Sequence, residues 1–241
     1  MTKVIFHSHK PYNIINDSYH PRPVKDVVPE WFKSADKYEL NKETGKYWEN
    51  DLGGFVMSFK ACPGLLDIFI SGYTLVTPCD ITFYKNENGV TCVKTESGYD
   101  DFVGSRAPML GFPVPHGHLD YHFHWYPNWA PEVPDGYSIL YTNPINRYDL
   151  PFITTSGIID NDKMNTPGFV PFFIQDNFIG TIRKGTPYLQ LFPYKREDWE
   201  MEIKHHNLEE IHSRHMKSAN MFRVKDGGAY KKLLRVLKRY S

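Results

Sequence analysis

The chain carries no excess of either charge: Lys plus Arg and Asp plus Glu each number 28 among its 241 residues. That balance excludes a global field able to hold nucleic acid or an anionic membrane surface, and leaves only local patches. Cysteine is scarce. Cys62, Cys79 and Cys92 form an odd set without C-x-x-C spacing, which argues against a disulfide framework or a zinc ribbon and reads as reduced thiols. No apolar run reaches membrane-spanning length, and the N-terminal stretch through Asp17 lacks the zones of a signal peptide. The expectation is a cytoplasmic protein, or one assembled from an intracellular pool. G-x-x-x-x-G-K-[ST], H-E-x-x-H and G-x-S-x-G are all missing, so common nucleotide, protease and esterase mechanisms have no foothold.

What is abundant is β-forming and turn-forming. Sixteen Tyr, 16 Phe and 18 Pro tilt the chain towards strands and turns. Residues 1–53, with Pro11, Pro21, Pro23 and Pro29 and then a polar stretch, read as an extended arm. Residues 54–198 read as a mainly β domain, a barrel or sandwich. Its short runs are Phe55 to Lys60, Leu65 to Ser71, Ile81 to Lys85, Val90 to Lys94, His116 to Trp125, Tyr137 to Thr142, Phe152 to Ile158, Phe169 to Ile174, Phe178 to Ile182 and Tyr188 to Pro193. Asn88-Gly89, Pro134-Asp135-Gly136, Pro167-Gly168 and Lys184-Gly185 mark turns between them. Residues 199–241 read as a helical extension. Asn207 caps a helix running to about Ala219, and after Gly227-Gly228 a basic amphipathic helix carries Leu233, Leu234 and Leu237 among Lys231, Lys232, Arg235, Lys238 and Arg239.

Four segments resemble, in order, the motifs of the dUTPase and dCTP deaminase superfamily, whose fold is the β-clip. Ser71-Gly72-Tyr73-Thr74-Leu75 is similar to Ala-Gly-Tyr-Asp-Leu, with Thr74 at the place of the magnesium-linked Asp. Pro134-Asp135-Gly136-Tyr137 is similar to the turn before the family's phosphate-binding Arg-Ser-Gly-Leu, where this chain has Asn143-Pro144-Ile145-Asn146-Arg147. Gly157-Ile158-Ile159-Asp160-Asn161-Asp162 resembles Gly-Val-Ile-Asp-x-Asp-Tyr, with Lys163 at the place of the stacking Tyr. Gly185 to Leu191 resembles the turn and strand that close the barrel. The resemblance implies catalytic roles for Asp160 and Asp162 if the chain is a nucleotide enzyme, and ligand contacts at Tyr73, Arg147 and Gln190. It also implies homotrimers. The whole chain further resembles an uncharacterised family of tailed marine phages and bacteria, through Pro29-Glu30-Trp31-Phe32-Lys33 and Lys60-Ala61-Cys62-Pro63 among other segments. That likeness implies a host cytoplasm or a virion as the setting, and virion proteins as partners.

His116, His118, Asp120, His122 and His124 recur at period two, so on a single strand they share one face. His and Asp suit zinc or iron, and His118-x-Asp120 matches the start of the two-His-one-carboxylate triad of non-haem iron oxygenases. A third ligand would come from His205, His206, His212 or His215, with Arg223 for an acidic cosubstrate. Three expectations therefore stand. The first is a non-catalytic, oligomeric binding or structural protein that requires no cofactor. The second is a deoxynucleoside triphosphate pyrophosphohydrolase or deaminase working with magnesium, and the third a metal-dependent oxygenase.

Overall fold

The aromatic and β-branched runs become strands because alternation lets each bury one face. The computed structural model describes residues 2–9, 19–50, 54–106, 111–166, 168–222 and 230–241. Among these it has 14 strands in four antiparallel sheets. The expectation of a mainly β chain holds. Pro11, Pro167, Arg223, Gly227 and Gly228 lie outside the described residues.

In chain order the strands are β1 (Ile5–Ser8), β2 (Arg22–Pro23), β3 (Tyr73–Val76), β4 (Ile81–Lys85), β5 (Thr91–Thr95), β6 (Val103–Ser105) and β7 (Phe123–Trp125). They continue as β8 (Trp129–Glu132), β9 (Tyr137–Thr142), β10 (Phe152–Thr154), β11 (Gly157–Ile159), β12 (Val170–Ile174), β13 (Gly180–Ile182) and β14 (Pro187–Lys195). The sheets run β1-β8, β10-β12-β7-β6, β11-β9-β14-β3-β2 and β13-β4-β5. The chain forms two compact units: residues 1–27 and 72–196 with Ser241, and residues 28–71 with 197–240.

The first unit is built on aromatic packing. Trp125 stacks on Phe172 at 3.8 Å between ring centroids, with Phe152 at 5.2 Å and Tyr188 at 5.0 Å. The Trp125 indole N–H donates to Thr154 Oγ1 at 3.0 Å, and that hydroxyl donates to the Tyr188 carbonyl at 2.8 Å. One polar bridge thus satisfies a donor that burial would otherwise strand. Gly72, at φ +80, lies against β14, where a Cβ would collide with the Leu191 carbonyl, so only glycine suits the entry to β3.

In the second unit, helix α1 (Glu30–Ser34) presents the buried Phe32 to Phe69, 4.3 Å away, and the Lys60 ammonium donates to the Lys33 and Ala35 carbonyls at the end of α1. Helix α2 (Pro63–Ile68) holds the half-sheltered ion pair of this unit: Asp67 accepts from Arg235 at 3.1 and 2.5 Å, with Lys238 at 3.1 Å. Burial pushes the Asp67 carboxyl up, but these two cations outweigh it and hold the group below its ordinary value. Helix α3 (Leu208–Phe222) begins with a reciprocal cap, Glu210 N–H to Asn207 Oδ1 at 2.9 Å and Asn207 N–H to Glu210 Oε2 at 3.1 Å, which satisfies two of the otherwise orphaned donors of its first turn.

Several expected elements differ. Leu65 to Ser71 is not a strand, because Pro63 stands at the first helical position, where its fixed φ starts α2. Phe55 to Lys60 makes only the isolated bridges Glu49 to Phe55 and Tyr38 to Met57 before a 3-10 turn at Phe59–Ala61. Phe152 to Ile158 splits into β10 and β11, which join different sheets. Of the basic terminal helix, only a π-helical turn, Tyr230–Leu234, forms. Within residues 1–53, β1 pairs with β8, and β2 with β3.

Replacing Thr154 by the isosteric Val leaves the Trp125 N–H buried without its partner. The expected cost is about 1–3 kcal/mol, read as a lower urea midpoint at unchanged slope.

Candidate functional site

The Gly157 loop leaves β11 and turns back beneath the β8–β9 connection, which brings Asp160 and Asp162 together around Arg196, the residue that follows β14. The Ser138 hydroxyl donates to Asp160 at 2.6 Å, and Arg196 Nη1 lies 3.2 Å from the same oxygen. Asp162 takes a two-pronged contact from Arg196 Nη1, at 2.9 Å, and Nη2, and also accepts from the Gly136 N–H at 2.9 Å. Its side chain has no exposed surface. Arg196 first, then the Gly136 amide and the charge of Lys163, hold the Asp162 carboxyl far below the ordinary carboxylate range against the opposing effect of burial. Lys163 itself bonds Asp135 at 2.9 Å. Gly136, at φ +83, makes the turn that aims its N–H at Asp162.

A forked guanidinium on two carboxylates is a positioning device. It holds the turn before β9, the loop after β11 and the end of β14 in one place. A cleft of about 320 Å³ lies beside it, lined among others by Glu132, Asp135, Asn161, Asp162, Lys163 and Asn165. Glu132 on its rim is paired with His7 at 2.8 Å.

The other residues expected at a nucleotide site do not converge on this pair. Gln190 is buried and accepts the Ile145 N–H at 2.9 Å. It pairs with Thr142, four residues along β9 from Ser138, which is about 13 Å of strand. Tyr73 lies across from Leu191 while Gln190 lies across from Thr74, so the two project from opposite faces of the sheet. Arg147 is taken by Asp149 through bonds of 2.8 and 2.9 Å.

The histidine run is not one strand, which corrects that expectation. A turn at His116 and Gly117, the glycine at φ +74, breaks it. His118 bridges Gln175, and the pairing register slips by two residues before Phe123 meets Phe172. His116 and Asp120 are exposed, His118 bonds the His116 carbonyl at 3.0 Å, and His122 and His124 are buried at 5% and 4% exposure. His205, His212 and His215 are exposed, and His206 lies 3.4 Å from Glu210. Among the described residues no group of three or more His, Cys, Asp or Glu side chains is placed to hold a metal ion. Nor is any helix there long and apolar enough to cross a membrane.

A comparison with models of known protein families finds no match, and neither does one with curated proteins. The residues that sequence reasoning missed are Arg196, which unites the carboxylates, and Arg106, which approaches the buried histidines. Both act through contacts remote in the chain.

Arg196→Gln tests the device. Because the folded Asp162 value is depressed, its stabilising contribution is complete above the unfolded carboxylate value, about 3.9, and is lost as pH falls through the folded value. The expected result is a lower urea midpoint at neutral pH for the variant, and a shallower fall than wild type between roughly pH 5 and pH 2.

Proposed function

We propose that the chain is a non-catalytic, self-associating binding or structural protein of phage type, on a β-clip scaffold like that of the dUTPases, acting in the host cytoplasm or within a virion. The observation that carries this reading is the segment after β14. Trp199, Met201 and Ile203 are 88%, 83% and 69% exposed. They recur at period two with Glu200 and Glu202 between them and Lys204 after them, the alternation of a strand with one apolar face. Residues 197–207 nevertheless form no strand or helix, and among the described residues no backbone hydrogen bond pairs residues 198–206.

Burying three large side chains is worth about 1.5–3 kcal/mol each, and pairing with a sheet edge supplies the missing backbone partners. The occupant that fits is a second copy of this chain. Its body has β11 and β5 at sheet ends, and Ile158 on β11 is 61% exposed. The scaffold reading is supported by β9 pairing with both β11 and β14, so that the segments beginning at Pro134, Gly157 and Gly185 meet around one sheet. The non-catalytic reading is supported by Arg196, which occupies the two carboxylates a hydrolase would need for water and metal. No cofactor is required.

Sedimentation equilibrium is expected to show concentration-dependent association, with trimers as the end state, and Trp199→Ser with Met201→Ser is expected to give monomers that keep the wild-type circular dichroism spectrum. A wild-type monomer at every concentration contradicts the proposal. Incubation with dUTP or dCTP and magnesium is expected to give no turnover. Turnover abolished by Asp160→Asn would restore the nucleotide enzyme.

A further inference from the structure

The face of the β10-β12-β7-β6 sheet that points away from the core carries a group of side chains to which the proposed function gives no role. Phe123 and Trp125 take the core side of β7, so His122 and His124 project from the other. Arg106 continues the β6–β7 ladder by donating its backbone N–H to the His122 carbonyl at 3.1 Å, and Gly104 lies across from His124. A Cβ at Gly104 would collide with the His124 ring, so glycine there leaves the imidazole its space.

Among the described residues, Nδ1 of His122 and both ring nitrogens of His124 are buried without a hydrogen-bond partner. Buried polar atoms are normally satisfied, and three orphans on adjacent same-face positions call for something to bond them. The Arg106 guanidinium lies 4.8 Å over the Phe169 ring, with no carboxylate partner among the described residues. Phe169 and Tyr126 pack on the His124 ring at 5.5 and 4.5 Å, and Phe112 stacks on Phe173 beside His122.

A metal suits this group poorly, since the guanidinium repels a cation and no third ligand joins the two imidazoles. An anion suits it. Burial first, and then the charge of Arg106, holds both histidines below their ordinary value, so each is a neutral ring with one N–H to donate. Arg106 offers a fork matched to a planar or tetrahedral oxyanion. We propose that Arg106, His122 and His124 form a binding site for an oxyanion, a carboxylate or phosphate carried on a small apolar body that rests against Phe169 and Tyr126. The site is independent of self-association.

The test is a titration of the full chain with inorganic phosphate, acetate or benzoate, followed by ring nitrogen NMR of the histidines. At least one anion is expected to shift the His122 and His124 signals saturably while leaving that of the exposed His215 unchanged. Arg106→Gln, a change at an exposed side chain, is expected to weaken that binding at least about tenfold. Arg106→Lys, which keeps the charge without the fork, is expected to fall between. No saturable shift with any of the three anions overturns the proposal, as does equal affinity in Arg106→Gln. Zinc chloride shifting both imidazoles more tightly than any anion would assign the pair to a metal instead.

Discussion

The stack of Trp125 on Phe172 is the contact on which the β body depends. It locks β7 between β6 and β12, and through the Thr154 hydroxyl it ties β10 to the carbonyl of Tyr188 on β14. Strand parity then does the rest. Once Phe123 and Trp125 face the core, His122 and His124 have no choice but the outer face, and a one-residue slip would exchange them. The buried histidine pair is therefore a consequence of aromatic packing, and so is its proximity to Arg106, which the same register brings across from it.

Charge is used differently in the two units, yet with one logic. Arg196 fastens Asp160 and Asp162, and Arg235 with Lys238 fastens Asp67. In each case a cation late in the chain meets a carboxylate far earlier, so the pair specifies which distant segments belong together. Breaking the Asp67–Arg235 pair, sheltered on both sides, costs more than forming it gains, because one charge is left uncompensated. A carboxylate committed to this work is poorly placed to activate water or hold magnesium. That is the physical link between the geometry of the Gly157 loop and the proposal of a scaffold that works without catalysis.

Much of the fold was legible because its signals are local. Asn207 announces the cap of α3, Asn88-Gly89 makes the β4–β5 hairpin with Gly89 at φ +74, and Tyr137–Thr142 is a strand end to end. The misreadings arose where one residue overrides a run of apolar side chains. Pro63 turns a β-like stretch into α2, and Gly117 breaks the histidine run that period two would have kept whole. The candidate sites were half legible. Asp160 and Asp162 do come together, and His122 and His124 do share a face, but Arg196 and Arg106 could not be assigned to them without the pairing register. Sequence spacing carries no information on contacts between strands far apart in the chain.

The proposed self-association requires that residues 198–206, which form no strand within the chain, pair with a second copy. The most direct measurement is amide hydrogen exchange across Trp199 to Ile203 over a series of protein concentrations. Exchange is expected to be fast in dilute protein and to slow in step with self-association, together with the amides of an edge strand such as β11 or β5. Exchange in this segment that stays fast in the fully associated protein would contradict the account.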